Sequence, residues 1–131
     1  MLVIVFGWYI GTSRPENESE LYGTYTSWWT VLFTEPIAKE KLILKSDGTF
    51  VQEVTLKATT KTDIGKGTWE YNRKSGYVVL EGNFMGVIDI YGELDPDYNK
   101  REQGRAYLPA SKYYGCVLLG SSEDTLYRKV D

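Results

Sequence analysis

Residues 39–71 read KEKLILKSDGTFVQEVTLKATTKTDIGKGTWEY. Two strand-like runs, 39–45 and 49–58, are separated by Ser46-Asp47-Gly48, and a third run, 67–71, follows a pair of glycines. Asp-Gly between alternating apolar runs is the strongest short-range hairpin pattern, because the tight turn needs positive φ and glycine supplies it without a Cβ clash. Alternation is clearest in 50–57, where Phe50, Gln52, Val54 and Leu56 oppose Val51, Glu53, Thr55 and Lys57. One face is apolar and the other mostly polar, as in a half-buried strand. This stretch is a β-meander.

The pattern extends outward. Strands are expected at 21–27, 39–45, 49–58, 67–72, 77–81, 86–94, 103–109, 116–120 and 125–130, separated by turn-forming residues at 46–48, 73–76, 95–97 and 121–124. No segment sustains a 3.6-residue period, and only 28–38 is a candidate for a short helix or irregular lid, limited by Pro36. Short strands at intervals of about ten residues predict an all-β fold: an antiparallel up-and-down meander of eight or nine strands closing into a barrel, with a sandwich as the other way of curling it. Closure would remove the unpaired edges that a long meander exposes.

At 131 residues the chain is long enough for one domain with its own core. Its single cysteine, Cys116, excludes an internal disulfide and lies in an apolar run, GCVLLG, where a thiol acts as a small hydrophobe. The net charge of −3 is concentrated early, since residues 1–20 carry Arg14 against Glu16, Glu18 and Glu20. The near-neutral remainder argues against a nucleic-acid partner. The chain has no histidine, which removes the commonest general base and the commonest metal ligand. Eleven tyrosines and four tryptophans suit both pleated sheet surfaces and the walls of a ligand or partner site.

Residues 1–10, MLVIVFGWYI, are uninterruptedly apolar, and 11–20, GTSRPENESE, are polar and acidic. Ten residues span about 15 Å as a helix, half the hydrocarbon core of a bilayer. Two readings compete: the end of a longer targeting or anchor segment, and an N-terminal strand of the fold. The abrupt switch to an acidic, Pro-containing linker favours the first. The expected organisation is therefore a targeting remnant plus linker at 1–20 and one barrel domain at 21–131. On that reading the domain is exported or membrane-tethered, in a bacterial envelope or outside the cell, with a cytoplasmic location left open. Asn17-Glu18-Ser19 matches the glycosylation triplet, which matters only in a eukaryotic secretory host.

Gly23-Thr24-Tyr25 in the first strand of the domain resembles the Gly-x-Trp opening of lipocalins and related calycin barrels, with Tyr in place of Trp. Arg128 stands where those proteins often carry an arginine that packs over the aromatic ring. The order of strands is similar to lipocalin-like domains of uncharacterised bacterial envelope proteins. The likeness covers residues 21–131. It implies a barrel, with the family's habit of carrying small apolar molecules as the expected activity. The chain lacks the family's Thr-Asp-Tyr element, and no room remains after the last strand for its closing helix.

Several constellations of residues could carry chemistry. Asp95, Asp97 and Asn99 open like a calcium loop, but Lys100 stands at the glycine position and Ala106 at that of the bidentate glutamate, so no metal is expected. Glu53, Glu70, Glu81, Asp89 and Glu93 lie in strands. Alternation puts Glu53 and Glu70 on the solvent side. Ser111, Ser121 and Ser122 have no histidine to activate them, and Lys112 beside Ser111 is expected in an exposed loop. Lys100, Arg101 and Arg105 near Tyr98 and Tyr107 are diluted by neighbouring acids. The adjacent pair Trp28-Trp29 cannot bury both rings in one sheet face, because successive side chains point opposite ways. With Phe33 they are expected to plug the barrel mouth or form its entrance, with Tyr71 and Tyr91 as polar-tipped walls. The expected function is non-enzymatic binding of a small apolar or amphipathic ligand, or an extended one, without a cofactor. The alternative is a protein-interaction module, such as an inhibitor or immunity-like partner, using a Tyr-rich sheet surface.

Overall fold

The computed structural model describes residues 12–27, 37–57, 60–85, 104–120 and 126–131. Within them the strands are β1 (Thr12–Ser13), β2 (Gly23–Ser27), β3 (Ile37–Leu44), β4 (Thr49–Leu56), β5 (Thr62–Asn72), β6 (Tyr77–Gly82), β7 (Gly104–Tyr113), β8 (Cys116–Gly120) and β9 (Leu126–Lys129). From β2 to β9 each strand pairs antiparallel with the next. β9 then returns to β2 through Tyr25↔Lys129, Thr26↔Arg128 and Ser27↔Tyr127. The fold is an eight-stranded up-and-down antiparallel barrel, with β1 added beside β7 through Thr12↔Tyr113 and Ser13↔Lys112.

The Asp-Gly turn forms as its residues dictate. Gly48 has φ of +87°, and Asp47 accepts the Thr49 N–H at 2.9 Å and the Thr49 hydroxyl at 2.6 Å. Those two bonds hold the Asp47 carboxyl below its ordinary pKa. Two strands run longer than their sequence patterns. β5 begins at Thr62 rather than 67, because its inward positions Gly65 and Gly67 carry no side chain to mark a face. β7 continues past Pro109 to Tyr113. Pro109 sits at the last pairing with β6, and the ladder resumes with Ala110 N–H donating to Gly76 O at 2.8 Å. Ser111 and Lys112 are therefore strand residues and not an exposed loop. The β7–β8 hairpin turns through Tyr114 (φ +49°) and Gly115 (φ +84°). The strand expected at 86–94 lies outside the described residues.

Up-and-down topology gives the barrel two distinct ends. At one, which we call the turn end, lie the turns 45–48, 73–76 and 114–115. At the other, the far end, lie Ser27, Ile37, Leu56, Thr62, Gly82, Gly104, Gly120 and Leu126.

A buried cluster runs from Leu80, Leu119 and Tyr127, nearer the far end, through Tyr25 and Leu42 to Leu21, Leu44, Phe50, Trp69, Val78 and Val117, which pack the turn end, each side chain removed from water worth on the order of 1.5–3 kcal/mol. Tyr22 packs edge-to-face on Trp69 with ring centroids 5.8 Å apart, and the Trp69 indole donates to Lys45 O at 2.8 Å. Residues 12–20, expected as a linker, lie against this end. Pro15 is buried and its carbonyl accepts the Tyr71 hydroxyl at 2.7 Å. Glu20 accepts Lys112 Nζ at 2.6 Å and the Glu16 N–H at 2.6 Å, and the lysine is the first cause of its lowered pKa. The Tyr25 hydroxyl donates to Leu21 O at 2.8 Å. The acids of the segment are thus partly structural anchors. Among the described residues no helix is long and apolar enough to cross a membrane.

Candidate functional site

Inside the barrel the apolar cluster gives way, toward the far end, to a polar one. On β3 the inward residues are Glu40, Leu42 and Leu44, and on β4 they are Phe50, Gln52 and Val54. Register brings Leu42 opposite Gln52 and Glu40 opposite Val54. A bulge between Ile37 and Lys39 directly precedes Glu40, and bulges of this kind re-aim side chains beside functional sites. β9 contributes Tyr127. Glu40 is 5% exposed, Gln52 is fully buried and Tyr127 is 1% exposed.

The bonding is specific. The Tyr127 hydroxyl donates to Glu40 Oε2 in a short contact, and Gln52 Nε2 donates to the same oxygen at 3.1 Å. Gln52 also clamps the backbone of Met85: Nε2 donates to Met85 O at 2.9 Å, and Oε1 accepts the Met85 N–H at 2.6 Å. The side-chain amide thereby behaves as a strand partner for a segment that leaves the sheet. Glycines make room for that segment. A Cβ at Gly65 would lie 2.1 Å from Asn83 O, and one at Gly67 would lie 2.0 Å from Glu81 O and 2.7 Å from the Phe50 ring. Gly82, with φ of +128°, turns the chain out of β6. Phe84 then packs edge-to-face on Phe50 and on Tyr127, each with centroids 6.3 Å apart, and Met85 is 2% exposed.

Electrostatics follow from burial. No lysine or arginine is bonded to Glu40 among the described residues, so desolvation pushes its carboxyl up against the opposing pull of the Tyr127 and Gln52 hydrogen bonds. Desolvation first, and then the proximity of Glu40, pushes the Tyr127 phenol well above its ordinary range. Glu40 Oε2 receives both donors, while Oε1 has no hydrogen bond among the described residues. The arrangement can hold a proton or receive a donor at Oε1. Among the described residues Glu40 is the sole interior carboxylate.

Of the residues singled out in the sequence, Trp28, Trp29, Phe33, Tyr91, Asp89, Glu93, Asp95, Asp97 and Asn99 lie outside the described residues. Tyr71 belongs to the turn end, with its hydroxyl committed to Pro15, so it does not stand beside the strand end from which Trp28 continues. Glu53 and Glu70 alternate with the buried residues and face outward, and Glu81 pairs with Arg105 at 2.7 Å on the surface. Arg128 is exposed on the outer face and does not cover Tyr25. The basic residue beside Tyr25 is Lys129, its register partner, which crosses Gly23 and donates to Glu20 O at 3.1 Å. Cys116 is half-buried rather than a core residue. Glu40, Tyr127 and the Phe84–Met85 segment escaped the sequence reading, although two polar residues on otherwise apolar faces, Glu40 and Gln52, were the available sign.

Two of the open grooves on the outside of the described residues are lined by charged side chains. One, of about 760 Å³, runs over the cross-strand row Gly67, Gly82 and Gly104, between Lys66, Thr68, Glu81 and Arg105. The other, of about 610 Å³, lies by Lys112, Cys116, Arg128 and Asp131. Their charges are largely answered within the chain, by Arg105–Glu81 and Lys112–Glu20. Among the described residues no cluster of three or more acidic or cysteine side chains could hold a metal ion. Comparison with protein-family models, with curated proteins and with solved structures finds no match for this chain.

Proposed function

We propose that the chain is a non-enzymatic binding barrel, lipocalin-like in its mode of action, that takes a small apolar or amphipathic ligand, or an extended one, through the far end. The observation that carries this reading is the asymmetry of the barrel. One end is tied down by the segment 14–21, while toward the other sits a buried polar cluster whose carboxyl, Glu40, keeps Oε1 without a hydrogen bond among the described residues. Binding sites of this kind combine apolar walls with a few placed polar groups. Export or membrane tethering belongs to the same proposal and rests on the apolar run 1–10. Titration of the full chain with N-phenyl-1-naphthylamine tests it. Saturable one-to-one binding, competed by octanol, is expected, and a linear, non-saturating response would sink the carrier reading.

A second reading is favoured by the outer surface. Tyr77, Tyr107, Tyr113 and Tyr114 are exposed, Tyr114 at 72%, and the last two stack edge-to-face at the β7–β8 tip with centroids 4.7 Å apart. Exposed tyrosines are enriched at protein interfaces. On this reading the chain captures a protein partner, and replacing Tyr107 by Ser together with Tyr114 by Asn would abolish that capture without loss of fold. Retention of the same partner by the double variant would end it.

A further inference from the structure

Glu40 is costly for the fold. A carboxyl at 5% exposure, with no cation bonded to it among the described residues, forfeits its hydration for two hydrogen bonds. A glutamine at this position could accept from both Tyr127 and Gln52 through its carbonyl oxygen and would carry no ionisable group. What an acid adds is charge. Geometry shows where that charge is available: Tyr127 and Gln52 converge on Oε2 and leave Oε1 without a partner among the described residues. The neighbouring groups are fixed. Gln52 has its amide hydrogens committed to Met85 O and Glu40, and its remaining approach to the Tyr127 oxygen, at 3.5 Å, is long. Beside this cluster the slot between Phe50 and Tyr127, now holding the half-buried Phe84 ring, offers aromatic walls on two sides.

Resting on the binding-barrel reading, we infer that Glu40 is the recognition group for a cationic head, a primary ammonium, carried by an apolar ligand. The ammonium donates to Oε1, and the tail packs in the slot between Phe50 and Tyr127, displacing the Phe84 ring. The ligand class is therefore a lipophilic amine. A neutral alcohol of the same length fills the slot but gains only an uncharged hydrogen bond, and a fatty acid brings a second carboxyl to a buried one. If Glu40 holds a proton before binding, pairing with an ammonium ionises it, and that proton leaves to solvent.

The test uses the full chain and three probes of matched length: octylammonium, octanol and octanoate. Calorimetry at neutral pH is expected to rank octylammonium about tenfold or more above octanol, the usual gain for a hydrogen bond to a charged partner. Glu40→Gln is expected to bring the ratio of octylammonium to octanol affinity down to about one. Equal affinities for octylammonium and octanol, or tighter binding of octanoate, overturn the role of Glu40 and leave the binding barrel standing. So does a preference that persists in Glu40→Gln. Should that variant fail to fold, repeating the octylammonium and octanol titrations of the native chain from about pH 8 down to about pH 4 decides: a preference for octylammonium that falls as Glu40 protonates supports the inference, and a preference unchanged across that range overturns it. If none of the three probes binds, the carrier reading fails and this inference falls with it.

Discussion

Gln52→Leu isolates the device that holds the Phe84–Met85 segment in the barrel. Leucine matches the volume of the buried glutamine, so no large cavity opens. The variant removes both bonds to Met85, orphaning a buried N–H and a buried C=O. Each orphaned group costs about 1–3 kcal/mol. The pair therefore costs about 2–6 kcal/mol, against which fuller apolar burial returns about 1.5–3 kcal/mol. Taking the middle of each range, the net expectation is a loss of about 2 kcal/mol. In urea, with a slope of about 2 kcal/mol per molar, the midpoint falls by about 1 M. Hydrogen exchange sharpens the assay, because the Met85 amide loses its acceptor and should exchange faster than the general loss of stability explains. The amides of Leu42 and Leu80 should track the global value. An unchanged midpoint with Met85 still protected would refute the claim that the Gln52 amide acts as its strand partner.

The same segment makes two glycines unequal: Gly65→Ala puts a Cβ 2.1 Å from Asn83 O and is expected to cost about 1–3 kcal/mol or more, whereas Gly104→Ala meets nothing within 4 Å and should be neutral, a contrast that parallel thermal melts will reveal or refute. Glu40 gives a pH signature. Its folded pKa is raised by burial, so its contribution to stability is fully present below the unfolded carboxylate pKa and is lost as pH rises through the folded value. Glu20, Asp47 and Asp131, whose pKa values are lowered, act with the opposite sign, so the difference between wild type and Glu40→Gln is the quantity to follow by denaturation from about pH 4 to 8. Wild type should lose ground to the variant as pH rises, and parallel curves would refute the burial argument. Tyr114→Asn relieves a left-handed tyrosine at the β7–β8 turn and should stabilise the hairpin by about 1 kcal/mol, read as a rise in melting temperature; a fall would show that the Tyr113 contact outweighs the backbone strain.

What was legible in the sequence was local. Asp47-Gly48 and the alternation of Phe50, Gln52 and Val54 report on residues adjacent in the chain, and the hairpin and inward face follow from them directly. Closure of the meander was also foreseeable, from strand spacing and the cost of free edges. The interior site was only half legible. Alternation already placed Gln52 among apolar neighbours, and Glu40 shares the parity of Leu42 and Leu44. Nothing local announces their partners, since Gln52 meets Met85 across 33 positions and Glu40 meets Tyr127 across 87. The docking of 12–20 was illegible for the same reason. Its composition is that of a linker, and its order comes from Tyr71 and Lys112, 56 and 92 positions away. Arg128 was misplaced by one residue, enough to reverse a strand side chain from one face to the other.

The two halves of the interior place different demands on the sequence. At the turn end each buried polar group is answered by nearby backbone: Tyr25 by Leu21, Trp69 by Lys45, Tyr71 by Pro15. Substituting Phe for any of these tyrosines would remove a donor but leave a carbonyl that water or another strand can serve, so such changes act on stability alone. Toward the far end the polar groups answer one another, and the chain closing over them is a segment that has left the sheet. Gln52 couples the two groups. It holds Met85 with both ends of its amide and Glu40 with one hydrogen, so moving the Phe84–Met85 segment changes what the carboxyl can bond. On the binding-barrel proposal, a ligand that takes the place of Phe84 is therefore also the one placed to engage Glu40. Probes carrying only a tail or only an ammonium should therefore bind more weakly together than one that joins them.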